Sequence, residues 1–213
     1  MTRLITLEGL EGCFKSTQTE LLVKHLESTG ANVLQVKEPG THQLPLTMEL
    51  RRIMLDDKYS DQHTALSREL VSQAARSIHL NKLVVPAINS GEYQYIISDR
   101  GVFSSVAYAS ALGHTPELIA NLTDITHSQT GLDCKSYDII FLERDTAKGL
   151  ETAQQAKQEF ETGDAMEKMG TGFLDKVKDQ FESWASDFNV SYVDVENKSK
   201  EIILSEIITK LGV

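Results

Sequence analysis

The sequence predicts an α/β fold of three layers, a five-stranded parallel sheet with helices on both faces. Three observations predict it. Five short segments rich in β-branched or apolar residues have the length and composition of buried strands. Stretches with helical period lie between them, and strands that alternate with helices pair in parallel through right-handed crossovers. The chain has 213 residues, 40% of them hydrophobic, and no repeat, low-complexity tract or Pro/Gly/Ser-rich linker divides it. That length supplies one well-buried core and is short for two, so residues 1–213 are expected to form a single domain.

The first strand, Leu4–Glu8, runs into Gly9-Leu10-Glu11-Gly12-Cys13-Phe14-Lys15-Ser16-Thr17, after which a helix starts. Leu21, Leu22, His25 and Leu26 recur at helix spacing, and Gly30 stands where a left-handed C-terminal cap falls. The second strand is Asn32–Lys37. Leu66–Asn89 reads as one long helix with Leu70, Ala74, Ile78 and Leu83 down one side, a kink at Pro86 and Ser90-Gly91 closing it. The third strand, Tyr93–Asp99, ends in an acid followed by a base, Asp99-Arg100, and the fourth is Asp138–Glu143. Gln154–Thr171 is polar, charged and short of large apolar residues. It reads as a solvated helical hairpin or as a lid, within an insertion at about 146–171. Ser191–Asp194 is the last strand. In such a sheet, ligands bind at the carboxyl ends of the strands.

The charge balance, 21 Lys+Arg against 31 Asp+Glu and a formal net charge of -10, argues against a protein that coats nucleic-acid polymers. A small anionic substrate remains compatible with it where basic residues converge. Two cysteines, Cys13 and Cys134, support neither a disulfide framework nor a zinc site. No apolar run approaches the roughly 20 residues of a membrane span, and Met1-Thr2-Arg3 leads into a strand without a signal-peptide pattern. A cytoplasmic protein with no membrane partner is the expectation.

A glycine-bearing loop between a strand and a helix is the context of a Walker A phosphate loop. There the backbone N–H groups and the helix N-terminus converge on the β- and γ-phosphates of ATP, a lysine neutralises charge, and the next hydroxyl meets Mg²⁺. Lys15 and Ser16 fit those roles, with Gly9, Gly12, Cys13, Phe14 and Thr17 completing the loop. The second glycine position of the pattern holds Phe14. Asp99 at a strand tip suits the hydration shell of Mg²⁺, and Arg100 beside it suits a bidentate clamp on an acceptor phosphate.

Taken in order, these residues resemble the thymidylate kinase family along nearly the whole chain, which implies a P-loop fold, ATP and Mg²⁺ as cofactors, dTMP as acceptor and a homodimer. Glu8-Gly9-Leu10-Glu11-Gly12 with Lys15-Ser16-Thr17-Gln18 is similar to the family's phosphate loop and implies that Glu11 lies near the sugar 3′-hydroxyl. Lys37-Glu38-Pro39-Gly40-Thr41 with Glu49-Leu50-Arg51 resembles R-E-P-G-G-T…E-x-L-R, implying acceptor contacts at Pro39 and a phosphate ligand at Arg51. Ala74-Ala75-Arg76 resembles A-A-R, implying Arg76 on the thymine edge. Ser72 stands one helical turn earlier, where the family usually stacks an aromatic ring on the base. Asp99-Arg100, Ser104-Ser105 and Ala107-Tyr108 resemble D-R-[YH]-x-x-S-[TS]-x-A-Y. The resemblance implies catalytic roles for Glu11, Lys15, Asp99 and Arg100, acceptor contacts from Ser104 and Ser105, and Tyr108 under the sugar. Tyr137-Asp138 into Ile139–Glu143 resembles the strand before the lid helix, but Asp164-Ala165-Met166-Glu167 stands where D-R-x-E is expected. Arg144, Lys157 and Lys168 are the nearest cations to the missing lid arginine. Phe14, Ser72 and the arginine-free lid leave two other readings open: a kinase for another or modified pyrimidine deoxynucleotide, and a nucleotide-binding homologue impaired in catalysis.

Overall fold

The computed structural model describes residues 2–155 and 164–213. Its sheet holds β1 (Arg3–Glu8), β2 (Val33–Lys37), β3 (Tyr95–Asp99), β4 (Asp138–Glu143) and β5 (Asn189–Asp194) in the order β2-β3-β1-β4-β5. Every pairing is parallel, with Leu7 and Lys37 both in register with Asp99, and Glu8 with Phe141. The predicted three-layer fold and all five strands are therefore present. β3 starts later than expected because the Tyr93 carbonyl is taken by the Thr2 hydroxyl at 2.8 Å, outside the ladder. β5 starts two residues earlier, where Val190 pairs with Ile139 and packs against the core.

Alternation along β1 assigns its side chains to two layers. Ile5 and Leu7 face α1 (Lys15–Ser28) and α10 (Lys200–Leu211), in a core that includes Leu22, Leu26, Ile203 and Ile207. The opposite face carries Phe103 and Val106 of α5 (Val102–Ala111), Ile119 of α6 (Pro116–His127), and Val177 and Phe181 of α9 (Thr171–Trp184). Phe103, Phe141 and Phe181 pack with ring centres 4.8–6.2 Å apart. Burying such rings anchors this layer.

The segment read as one helix, Leu66–Asn89, is two. α3 (Ala65–His79) passes through a π-helical turn, Leu80–Val84, into α4 (Val85–Ser90). Pro86 has no N–H to give, and the wider turn before it places the proline in the first turn of α4, where none is required. The orientation of α3 also differs from a conventional amphipathic helix. Glu69, Gln73, Arg76 and His79 are buried, whereas Leu66 and Leu70 are 44% and 49% exposed and Ala74 is exposed. Part of this polar inner face, Glu69 and Arg76, lines a cavity, while Gln73 meets Thr126 of α6 and His79 lies beside Glu38. α2 (Pro45–Leu55) packs beside α3.

After β4 come α7 (Thr146–Gln155) and α8 (Ala165–Lys168), the described flanks of the segment read as a lid. Its middle, Lys157 included, lies outside the described residues. Among the described residues no helix is long and apolar enough to cross a membrane.

Candidate active site

The loop after β1 is shaped by backbone angles that few residues accept. Gly12 has φ +67, and a Cβ on it would come within 2.0 Å of the Gly149 carbonyl oxygen at the start of α7. Phe14, at the N-cap of α1, adopts φ 64 and ψ 20. The pattern position that calls for glycine does require a left-handed residue here, and a non-glycine residue pays about 1–2 kcal/mol to sit there. The ring of Phe14 is 38% exposed, and the guanidinium carbon of Arg144 lies 4.6 Å from its centre. Arg144 Nη1 also donates to the Gly12 carbonyl and to Thr152 Oγ1 at 3.0 Å.

The Cys13 side chain is fully buried in the α1 and α10 core, so its thiol is turned away from a ligand. Lys15 Nζ donates to the Leu10 carbonyl and sits 3.4 Å from Cys13 Sγ, folded along the inner side of the loop. Ser16 Oγ donates to Asp99 Oδ2 at 2.6 Å, and Thr17 is exposed on the first turn of α1.

The register that aligns Leu7 with Asp99 brings Arg100 against the loop. Arg100 also has positive φ, 68. Its Nη1 donates to the Gly9 carbonyl and to Ser104 Oγ, both at 2.9 Å, and its Nη2 meets Glu11 Oε1 at 2.9 Å. The Tyr108 hydroxyl donates to the same Glu11 oxygen at 2.7 Å. Burial works to raise the Glu11 pKa, but Arg100, then Lys15 and the Tyr108 hydrogen bond, outweigh it and hold the carboxylate below its ordinary range. Burial and the neighbouring Glu11 push Tyr108 well above the ordinary tyrosine value. Beneath them Glu8, fully buried, accepts from the Ser104 hydroxyl and the Ser104 N–H; burial raises its pKa.

Asp99 is held below its ordinary value: burial opposes ionisation, while Lys37, 3.4 Å away, Lys15 and the Ser16 hydrogen bond outweigh it. Asp99 Oδ1 is buried and has no hydrogen-bond partner among the described residues. An oxygen pair of one hydroxyl and one carboxylate, with an unused carboxylate oxygen, fits Mg²⁺, which takes its other ligands from phosphates and water. No cluster of three or more His, Cys, Asp or Glu residues gathers among the described residues, so the protein offers no closed metal cage there.

A cavity of about 250 Å³ opens from this centre. Glu11, Lys15, Ser16, Pro39, Arg51, Ser72, Arg76, Asp99, Arg100, Ser104, Ser105 and Tyr108 all line it, whereas Gly9, Gly12, Cys13, Phe14 and Thr17 belong to the loop outside it. Arg51 Nη1 donates to the Pro39 carbonyl at 3.1 Å. Arg76 is fixed by Glu38, whose Oε2 accepts from Nε at 2.8 Å and pairs with Nη2 at 2.8 Å, while Nη2 donates to the Gly101 carbonyl at 3.3 Å; its buried Nη1 has no partner among the described residues. Ser105 Oγ and Glu11 Oε2 are likewise buried and unpartnered there. Buried polar groups are rarely left so, and these three edge one cavity. The Ser104 hydroxyl, by contrast, is engaged by Glu8 and Arg100, which makes it a brace for Arg100. Ser72 is half-buried, and Met54, Leu55, Leu112 and Met166 supply the apolar wall.

Five further residues line the cavity: Glu38, Asp164 and Glu167 stand in motif blocks that assigned them no role, and Arg68 and Glu69 lie outside every motif. Helical spacing carried a signal for two of them, since Arg68 and Glu69 precede Ser72 and Gln73 by four. Of the cations named for the missing lid arginine, Lys168 pairs with Asp57 at 2.6 Å and Arg144 packs on the phosphate loop.

A family model described as thymidylate kinase matches residues 7–207. Curated thymidylate kinases are similar over almost their full length. That of Francisella philomiragia is 30% identical over 207 residues, covering 97% of this chain and 96% of that protein. That of Halothermothrix orenii is 33% identical over 200 residues, covering 93% and 91%. The crystal structure of thymidylate kinase from Ehrlichia chaffeensis has the same fold, with a TM-score of 0.73 at 22% identity, covering 100% of this chain and 99% of that one.

Proposed function

The chain belongs to the thymidylate kinase family, and we propose that it passes the γ-phosphoryl group of ATP to dTMP, giving ADP and dTDP, through the residues gathered at the mouth of the cavity. Arg100 carries this reading. It is locked by the Gly9 carbonyl, Ser104 and Glu11 at the junction between the phosphate loop and the cavity, where donor and acceptor phosphates must meet.

The donor side is the loop from Gly9 to Thr17, with Lys15 on the β- and γ-phosphates and the N-terminus of α1 behind them. Ser16 and Asp99 would hold Mg²⁺, which neutralises phosphate charge when bound. On the acceptor side Arg51 and Arg100 hold the dTMP phosphate, Arg76 Nη1 and Ser105 meet the pyrimidine edge, and Glu11 with Tyr108 faces the sugar. Pro39 and Ser72 close the base pocket. An oxygen of the acceptor phosphate forms a bond to the γ-phosphorus as the bond to the ADP oxygen breaks. That oxygen is already ionised, so no general base is required. The protein contributes position, charge neutralisation and exclusion of water. One kinase domain, with the segment at about 146–171 as its lid, accommodates all of these parts.

A homodimer belongs to the same proposal. Leu46 and Ile53 on α2, Leu66 and Leu70 on α3 and Ile125 on α6 are exposed on helices packed side by side, an apolar surface suited to a second copy.

Coupled ADP release with ATP·Mg²⁺ and a panel of nucleoside monophosphates tests the reading. Turnover greatest with dTMP is expected. Absence of ADP with every acceptor, or turnover confined to a non-thymine acceptor, overturns it.

A further inference from the structure

The loop contains a conflict that its own residues do not resolve: Phe14 occupies a left-handed position that glycine takes without cost, and its side chain makes no capping bond to α1. What meets it is Arg144, the first residue after β4. The guanidinium lies 4.6 Å from the Phe14 ring centre, donates to the carbonyl of Gly12, and is tethered from behind by Thr152 at 3.0 Å and Glu196 at 3.8 Å. One planar cation therefore touches the loop at two residues with positive φ, Gly12 and Phe14, and ties both to α7.

We propose that Arg144 is a positioning residue for the phosphate loop, a clamp that holds Phe14 in the left-handed conformer and so keeps Lys15 and Ser16 aimed at the donor phosphates. Arginine suits the task because its flat face stacks on the ring while its edge donates to the carbonyl; a lysine cannot do both. The pairing accounts for two departures together. The missing glycine is tolerated because an arginine supports its replacement, and that arginine is committed to the loop instead of the lid. This inference rests on the reading above that the loop takes the phosphates of ATP.

Coupling between positions 14 and 144 is the measurable consequence. ATP·Mg²⁺ affinity is measured by calorimetry without acceptor for the wild type, Arg144→Ala, Phe14→Gly, Phe14→Leu and the two double variants. Arg144→Ala is expected to weaken ATP about tenfold in the Phe14 background and less than about threefold on Phe14→Gly, which adopts the conformer unaided. Phe14→Leu keeps the steric cost but loses the ring, so it should resemble Arg144→Ala and gain little further loss from the double change. Equal losses in every background, or no loss at all, overturn the clamp. In steady state, Arg144→Ala should raise the KM for ATP with kcat nearly unchanged; a fall in kcat alone would place the guanidinium on the transferring phosphoryl group instead. Arg144→Lys should recover only part of the affinity, and full recovery would reduce the role to charge. Should Arg144→Ala fail to fold, Phe14→Leu and Arg144→Lys carry the same comparison. Because binding is read without dTMP, a chain that bound ATP in this pattern yet released no ADP would refute the kinase reading and leave the clamp standing.

Discussion

Of the three described non-glycine residues with positive φ, Phe14, Arg100 and Asn197, the first two stand where the proposed reaction holds its phosphates. Such conformers persist where the surroundings over-determine them, and Arg100 is over-determined by Gly9, Ser104 and Glu11. Replacing Arg100 by Lys removes the planar fork while keeping the charge, and one ammonium cannot reproduce those bonds and also grip an acceptor phosphate. Arg100→Lys is therefore expected to lower kcat/KM for dTMP by about 10²–10³-fold, a loss of the size seen on removing one oriented electrostatic contact; steady-state rates at varied dTMP will check it. Glu38 makes a prediction about stability. Burial opposes its ionisation, but Arg76 and then His79 hold its pKa below the ordinary value. A depressed folded-state pKa gives stability that is full above the unfolded value, about 4.3 for Glu, and is lost as pH falls through the folded one. Glu8, raised by burial, has the opposite sign. Glu38→Gln should cost about 3–5 kcal/mol near neutral pH by leaving the Arg76 charge buried and unpaired, and should flatten the acid limb of a melting-temperature profile. A variant that melts with the wild type's acid slope would show that Glu38 is not its source.

At the scale of elements, α3 is where sequence and structure part most clearly. Its apolar residues are easy to see, but their spacing does not say which way the stripe points. The buried side is instead Glu69, Gln73, Arg76 and His79: Glu69 and Arg76 wall the cavity, Gln73 meets Thr126 of α6 and His79 lies beside Glu38. Strands read better, since β1, β3 and β4 bury most of their residues and declare it by composition. Ser72 lies one turn before Arg76 on the inner side of α3 and lines the cavity. An aromatic ring there can stack on the acceptor base, an interaction worth about 1–3 kcal/mol. Ser72→Phe is expected to lower the KM for dTMP about tenfold with little change in kcat. A higher KM would mean that Met54, Leu55 and Met166 already fill the space above the base.

Over the whole molecule, the layers and the parallel sheet were legible in the sequence, as was the placing of the loop after β1 beside the cavity lined by the proposed acceptor residues. Motif residues announce themselves by type and spacing. What stayed hidden is how the parts brace one another: Arg144 against Phe14, Glu38 against Arg76, Glu8 beneath Ser104, contacts between residues far apart in the chain that no local pattern records. The outward stripe on α3 belongs to this scale too. Leu66 and Leu70 are exposed on a helix packed beside both α2, which exposes Leu46 and Ile53, and α6, which exposes Ile125. Burying such side chains against a second copy would stabilise association by about 25 cal/mol for each Å² removed from water. Light scattering is expected to give about twice the chain mass of 23.7 kDa, and Leu70→Asp should return the mass to that of one chain. Because Leu70 is 49% exposed within one copy, the change should alter the stability of the separated chain by no more than about 0.5 kcal/mol. Its effect on catalysis should still be felt: the opposite face of α3 holds Arg68, Ser72 and Arg76 in the cavity proposed for the acceptor. A separated chain should therefore bind dTMP more weakly while keeping its affinity for ATP, whose loop lies on α1 beyond the reach of that surface. A wild-type mass of one chain, or equal loss of both ligands in Leu70→Asp, would sever the link between the dimer face and the acceptor site.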